Sequence, residues 1–221
     1  PPTKPTSKKH LVSIGSIGRF IKPNSVVVGT GISSQDIQLA RRADYISVRG
    51  PLTAETLMKS GGPIVDSFGD PGLALSEVIP LKRSKTNGKV ALIRHFSHLA
   101  VPLKLPENFD ELSVLISHPD AISDFLKNLI GYESVVTSAM HIMIACQSYG
   151  IPCALVTFEG FQENVHGTGI KYQDYALGAG VEVMNPELIA LDLRKIDFDN
   201  ITRDIAVSKE KKVEVVQSLK T

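Results

Sequence analysis

The sequence predicts an α/β fold made of two parallel-sheet units, and three observations carry that reading. Short apolar runs alternate with stretches of helical pattern, as they do where strands are joined by crossover helices. The runs are continuous, which suits strands buried on both faces. The pattern then restarts after a break at 79–88 that holds Pro80 and a cluster of basic residues.

The first ten residues carry three prolines and three lysines without apolar periodicity and read as an extended leader. Residues 11–14 form the first expected strand, followed by the loop GSIG. A second strand at 25–28 ends in GTG, and Ser33, Ser34 and Asp36 predict a capped helix running to about Arg42. A strand at 45–48 ends in Arg49-Gly50-Pro51. Pro51 is set to open a helix that stops near Gly61-Gly62. A strand at 64–66 then leads into FGDPGLAL.

In the second half, strands are expected at 90–93 and 112–116, the latter ending in SHPD, where Ser117 or Asp120 would cap a helix over 121–129. Residues 135–158 read as strand, helix and strand. From Pro186 the tail has a helical pattern, clearest in KEKKVEVVQSLK. The resulting organisation is a leader at 1–10, units at 11–80 and 81–185, and a helical tail at 186–221, with a cleft between the units as the natural site.

Composition narrows the partners. A 43% hydrophobic content supports a sizeable core, and a formal net charge of +1 gives no global field for nucleic acid or a membrane surface. No nucleic-acid partner is therefore expected. Two cysteines, Cys146 and Cys153, suit small buried positions in a reducing, cytoplasmic setting. No apolar run reaches the roughly 18 residues of a membrane span.

Several residues stand where ligands bind in open α/β sheets, at the carboxyl ends of strands. The loops around Gly15 and Gly29 have the glycine content of anion cradles, although tight turns account for them equally. Arg49 ends a strand before a helix start and could grip a phosphate or carboxylate, or join an ion pair. Asp70 sits in a rigid Gly-Asp-Pro turn suited to capping. Of six histidines, His95, His98, His118 and His141 follow predicted strands and would line one sheet edge. Their near-neutral pKa suits proton transfer, with structural duty the default for any one of them. The H-x-x-H of His95 and His98 has no further ligand beside it, so no metal is expected. Ser138 precedes the central helix, whose N-terminus would favour an anion. Lys171 opens another helix as a point charge. Serine-hydrolase elbows and paired glycosidase carboxylates are absent from the sequence.

The order of ISVRGPLTAETL, GDPGLAL, VALIRHFSH, VVTSAMHIMIACQSYGIPCALV and GTGIKYQDY resembles the polysaccharide pyruvyl transferase family over about 11–182. The resemblance implies a GT-B-like fold of two Rossmann-like domains facing each other. It implies transfer of pyruvate from phosphoenolpyruvate to two hydroxyls of a sugar, forming a cyclic ketal and releasing phosphate, with no cofactor. Family members act in bacterial exopolysaccharide and cell-surface glycan biosynthesis. The acceptor would be a sugar or lipid-linked oligosaccharide, with peripheral contact to a membrane-bound acceptor. The family's essential arginine and histidine match Arg49 and His141. His95, Asp70 and Lys171 match further recurring positions, and Gly15, Ser138 and His118 join them as expected substrate-binding residues. Ala139 stands where many members carry arginine. The family's amino-terminal segment with its Asn-x-Gly-Asp loop has no counterpart, so the first domain is expected to be incomplete. A nucleotide-sugar glycosyltransferase of GT-B type and a non-catalytic truncated member are the alternative readings.

Overall fold

The computed structural model describes residues 8–220. The leader expected over 1–10 lies largely outside the described residues, and its last residue opens the first strand. In chain order the strands are β1 His10–Val12, β2 Ser25–Val28, β3 Asp44–Ser47, β4 Val90–Ile93, β5 Phe109–Glu111, β6 Ser134–Thr137, β7 Cys153–Phe158 and β8 Glu187–Ile189. The α-helices are α1 Pro51–Lys59, α2 Leu75–Val78, α3 Pro119–Leu129, α4 Met140–Tyr149, α5 Ile170–Ala179 and α6 Lys209–Ser218. All strand pairs are parallel, so the chain is an α/β protein of Rossmann-like character. Among the described residues no helix is long and apolar enough to cross a membrane.

The chain divides into two compact units. The first takes residues 8–74, 167–183 and 207–220 of the described chain, and the second takes Leu75–His166 and Met184–Ala206. In the first unit the sheet order is β1-β2-β3. The strand expected at 64–66 does not form. Instead a parallel bridge joins Val48 to Phe68, with the Val48 N–H donating to Ser67 O and the Gly69 N–H to Val48 O. Val27, Ile32, Leu39, Val48 and Leu57 form the core.

The helix expected over 33–42 is also absent. Its backbone groups have partners outside the segment: the Leu39 N–H donates to Ser60 Oγ at 3.0 Å, and the Tyr45 hydroxyl donates to Ala40 O at 3.1 Å. With Leu39 anchored in the core, turns satisfy the segment where a helical ladder would otherwise be needed.

The second unit has five strands in the order β5-β4-β6-β7-β8. The chain leaves β4 for β5 on one side and returns to β6 on the other. The β4–β6 boundary, where Ile93 pairs with Thr137, is thus a topological switch point. Both faces of β6 are closed: Val135, Val136 and Thr137 are buried. Cys146 and Cys153 are free thiols and buried, and burial pushes the Cys146 thiol well above its ordinary pKa.

Three further expectations are corrected here. The strand expected at 112–116 is at Phe109–Glu111, because only there does the chain run alongside β4; Leu115, beyond it, is 68% exposed. Helix α3 is capped by the His118 side chain, not by Ser117 or Asp120. The tail from Pro186 is not helical at its start, since 187–189 adds β8 to the free edge of β7. Helix forms at Lys209–Ser218, where Ser208 Oγ accepts the Lys211 N–H at 3.2 Å.

In the first unit α1 and α5 meet backbone to backbone. A Cβ at Gly178 would fall inside the van der Waals shell of Arg49 O, and one at Gly50 inside that of Asp174 O. Alanine would gain at most about 1 kcal/mol of helix propensity at Gly178. Overpacking costs about 1–3 kcal/mol and more against rigid backbone, so the clash decides the sign. Gly178→Ala should lower the urea midpoint markedly, whereas Gly88→Ala, with open space around it, should cost only the roughly 1 kcal/mol of a positive φ.

Candidate active site

In the first unit the carboxyl ends of β1, β2 and β3 are tied to one another. Gly15 O accepts the Gly31 N–H at 3.0 Å and the Thr30 hydroxyl at 2.8 Å, and the Gly18 N–H donates to Gly31 O at 2.9 Å. The two glycine loops therefore form one hydrogen-bonded layer, and Arg49 holds it from beneath. Its side chain is fully buried. Nε donates to Asp174 Oδ2 at 3.0 Å, Nη1 to Ser16 Oγ at 2.6 Å and Nη2 to Ile32 O at 2.7 Å. Gly31 lies flat against the guanidinium, where a Cβ would collide with its central carbon.

Asp174 completes the cluster and is itself fully buried. Its Oδ1 accepts the Thr53 N–H at 2.9 Å and its Oδ2 the Thr53 hydroxyl at 2.7 Å. Gly50, at the N-cap of α1, has no side chain to serve the first turn, so Asp174 caps α1 from a distant segment. One carboxylate thus neutralises the buried guanidinium and satisfies a helix terminus.

Lys171 lies in the first turn of α5, 8% exposed, with Nζ 5.1 Å from the Tyr172 ring centroid. Burial, and then the nearby Arg49 charge, lower its pKa. Asp70 is fully buried; its Oδ1 accepts the Gly72 N–H at 2.9 Å and caps the 3-10 turn Pro71–Ala74. That is the turn duty its Gly-Asp-Pro setting predicts.

In the second unit the switch point brings three of the expected residues together. Ser138 follows β6 and is buried; its Oγ accepts the His95 N–H at 2.9 Å and lies 2.9 Å from His98 Nδ1. His98 Nε2 lies 3.0 Å from Phe161 O. A carbonyl only accepts, so Nε2 carries the hydrogen, and Nδ1 must accept from the Ser138 hydroxyl. The result is a directed chain from the His95 N–H through Ser138 and His98 to Phe161. The fully buried His98 ring also packs edge-on against Phe158, with centroids 5.2 Å apart. His95 Nδ1 meets Ser97 Oγ at 2.7 Å. His141 is half-buried in the first turn of α4, whose entry is fixed by Thr137 Oγ1 accepting the Ala139 N–H at 3.0 Å.

His118 has a different duty. It is 73% exposed, and its Nδ1 accepts the Asp120 N–H at the start of α3. Among the described residues no group of three His, Cys, Asp or Glu side chains is arranged to hold a metal ion. Sequence reasoning missed Asp174, Thr53 and the bridging role of His98. A glycine N-cap directly before Pro51 was the one local sign that α1 needed a capping carboxylate from elsewhere.

Burial lowers the His98 pKa below its ordinary value of about 6.5. The native state therefore binds fewer protons than the unfolded chain just below that pH. The neutral ring's contribution is complete above about pH 6.5 and is lost as pH falls toward the lowered native value. Thermal midpoints should drop as pH falls below about 6.5 in the parent and drop less steeply in His98→Gln; equal slopes would remove His98 as the cause.

The sequence profile of the family described as polysaccharide pyruvyl transferase matches residues 8–159. An uncharacterized protein of Acanthamoeba polyphaga mimivirus is 27% identical over 179 residues, covering 78% of this chain and 61% of that protein. The chain thus spans about three fifths of that relative's length. No solved structure matches it. The profile takes in more than half the chain, including Arg49, the His95–His98 loop and the β6–α4 turn with His141; the chain belongs to the polysaccharide pyruvyl transferase family.

Proposed function

We propose that this chain performs the chemistry for which its family is named, moving pyruvate from phosphoenolpyruvate onto two hydroxyls of one sugar. The observation that carries the reading is the switch point of the second sheet, which gathers His95, Ser138 and His141 at the ends of β4 and β6. Ligands of open α/β sheets bind at such crevices.

The reaction needs a proton delivered to the methylene carbon of phosphoenolpyruvate. The adjacent carbon then becomes an oxocarbenium-like electrophile, and a sugar hydroxyl adds to it as its own proton departs. Phosphate leaves with the electrons of its C–O bond. The second hydroxyl adds in its place and loses its proton, which closes the ketal. The products are one ketal, which keeps the pyruvate carboxylate, and one phosphate. His141 is the proposed general acid for the methylene and is reprotonated from the incoming hydroxyl. His95 is the proposed second polar group at the same strand ends. Ser138 is a positioning residue, because its hydroxyl is committed to His98 and to the His95 backbone.

Arg49 is assigned a positioning role as well. A phosphate or carboxylate clamp would require it to give up contacts with Asp174, Ser16 and Ile32, which hold it in full burial. What supports the positioning role is that two of these partners, Ser16 and Ile32, lie in and beside the glycine loops. Those loops and the Lys171 charge are the proposed oxyanion-binding features of the first unit. The acceptor we assign is a sugar of a cell-surface glycan or its lipid-linked precursor, met on the cytoplasmic side.

The test is phosphate release from phosphoenolpyruvate in the presence of a sugar acceptor. His141→Ala should reduce turnover by about a hundredfold or more. Unchanged turnover would overturn its assignment.

A further inference from the structure

We propose that a cleft at the amino-terminal edge of the first unit's sheet binds an anionic saccharide, with Arg41 and Arg42 gripping its phosphate or carboxylate. The cleft holds about 590 Å³ and is lined by Pro23, Gln38–Arg42, Lys59 and Ser60. That volume is in the range of small-molecule pockets.

Its position separates it from the candidate active site. Pro23 precedes β2, and Arg41 and Arg42 precede β3. Lys59 and Ser60 end α1, which starts from the carboxyl end of β3 and runs back along the sheet. The lining is therefore at the edge opposite the glycine loops and Arg49.

The charges there are available. The sequence has eight arginines, and six have a partner in the structure: Arg19 stacks on Phe20, Arg49 pairs with Asp174, and Arg83, Arg94, Arg194 and Arg203 all hold carbonyls or carboxylates. Among the arginines of the described residues, only Arg41 and Arg42 have no hydrogen bond, ion pair or ring contact, and both line the cleft. The neighbouring Asp44 carboxylate is engaged by Lys9 at 3.2 Å, so it does not quench them. Lys59 adds a third cation, partly offset by Glu55 at 2.6 Å.

At the helix end facing the cleft, three of the last four carbonyls are occupied. Thr56 O and Leu57 O both accept the Ser60 N–H, and Met58 O accepts that of Gly61. Two guanidinium groups that line one cleft can each grip an oxyanion in two-pronged fashion. The Pro23 ring and the Gln38 amide beside them offer an apolar face and hydrogen-bonding groups for a sugar ring. A lone inorganic ion would use only the arginines.

Neither arginine is buried or packed, so replacing both should leave the fold intact. The protein would be titrated with glucose 6-phosphate, glucuronate, inorganic phosphate and glucose, following the Arg41 and Arg42 side-chain N–H signals and the Gln38–Arg42 amides by NMR. Saturable shifts are expected with glucose 6-phosphate or glucuronate and none with glucose. Whichever anion binds more tightly identifies phosphate or carboxylate as the group recognised. In Arg41→Gln/Arg42→Gln protein with an unchanged melting temperature, the Kd should rise at least about tenfold. Absence of saturable shifts, an unchanged Kd in the double variant, or inorganic phosphate binding as tightly as the sugar phosphate would overturn the proposal. Pyruvyl transfer is not part of the readout, so the two proposals stand or fall separately.

Discussion

The first unit depends on one buried ion pair. Arg49 and Asp174 are 125 residues apart in sequence and both fully buried. Taking two charges out of water is costly, and their attraction offsets that only with good geometry and further hydrogen bonds. Here the surrounding groups supply them: Ser16, Ile32 and both donors of Thr53 complete the network. The consequences reach outward. The α1 N-terminus is capped without a side chain at Gly50, the glycine loops are held from below, and segment 167–183 is fixed against the first strands. Glycine is required at 31, 50 and 178 because the pair and the two helices it joins leave no room for a Cβ.

The second unit rests on a different device, strand order. The reversal between β4 and β6 brings two strand ends together as no local sequence feature could, and polar groups from both settle there. Ser138 connects them, and the tautomer of His98 gives the hydrogen bonds a direction. A histidine held neutral by burial keeps that direction at physiological pH. His98 therefore supports the site without being a candidate for proton transfer itself.

Much of this was legible in the sequence where local chemistry decides. The runs at 25–28 and 90–93 are strands as read, because continuous apolar stretches have no other use at that length. Pro51 starts its helix, and the β6–α4–β7 passage follows its apolar pattern. What failed was decided at a distance. Residues 33–42 carry good capping residues, yet Ser60 and Tyr45 take their backbone partners. Strand β8 exists only because β7 has an open edge, which no pattern within 187–189 announces. Arg49 was singled out by position, but its partner Asp174 could not be, since the sequence gives no sign of which carboxylate meets a residue so far away.

A double-mutant cycle on Arg49 and Asp174 tests the central dependence most directly. Arg49→Met leaves a buried carboxylate without its cation, and Asp174→Asn leaves a buried guanidinium without its anion while keeping an oxygen for Thr53. Each single change should cost about 3–5 kcal/mol of unfolding free energy. The double variant, with neither charge of the pair left, should be more stable than the sum predicts by at least about 2 kcal/mol. Costs that add within about 0.5 kcal/mol would contradict the account, because the pair would then not be the interaction that holds the unit together.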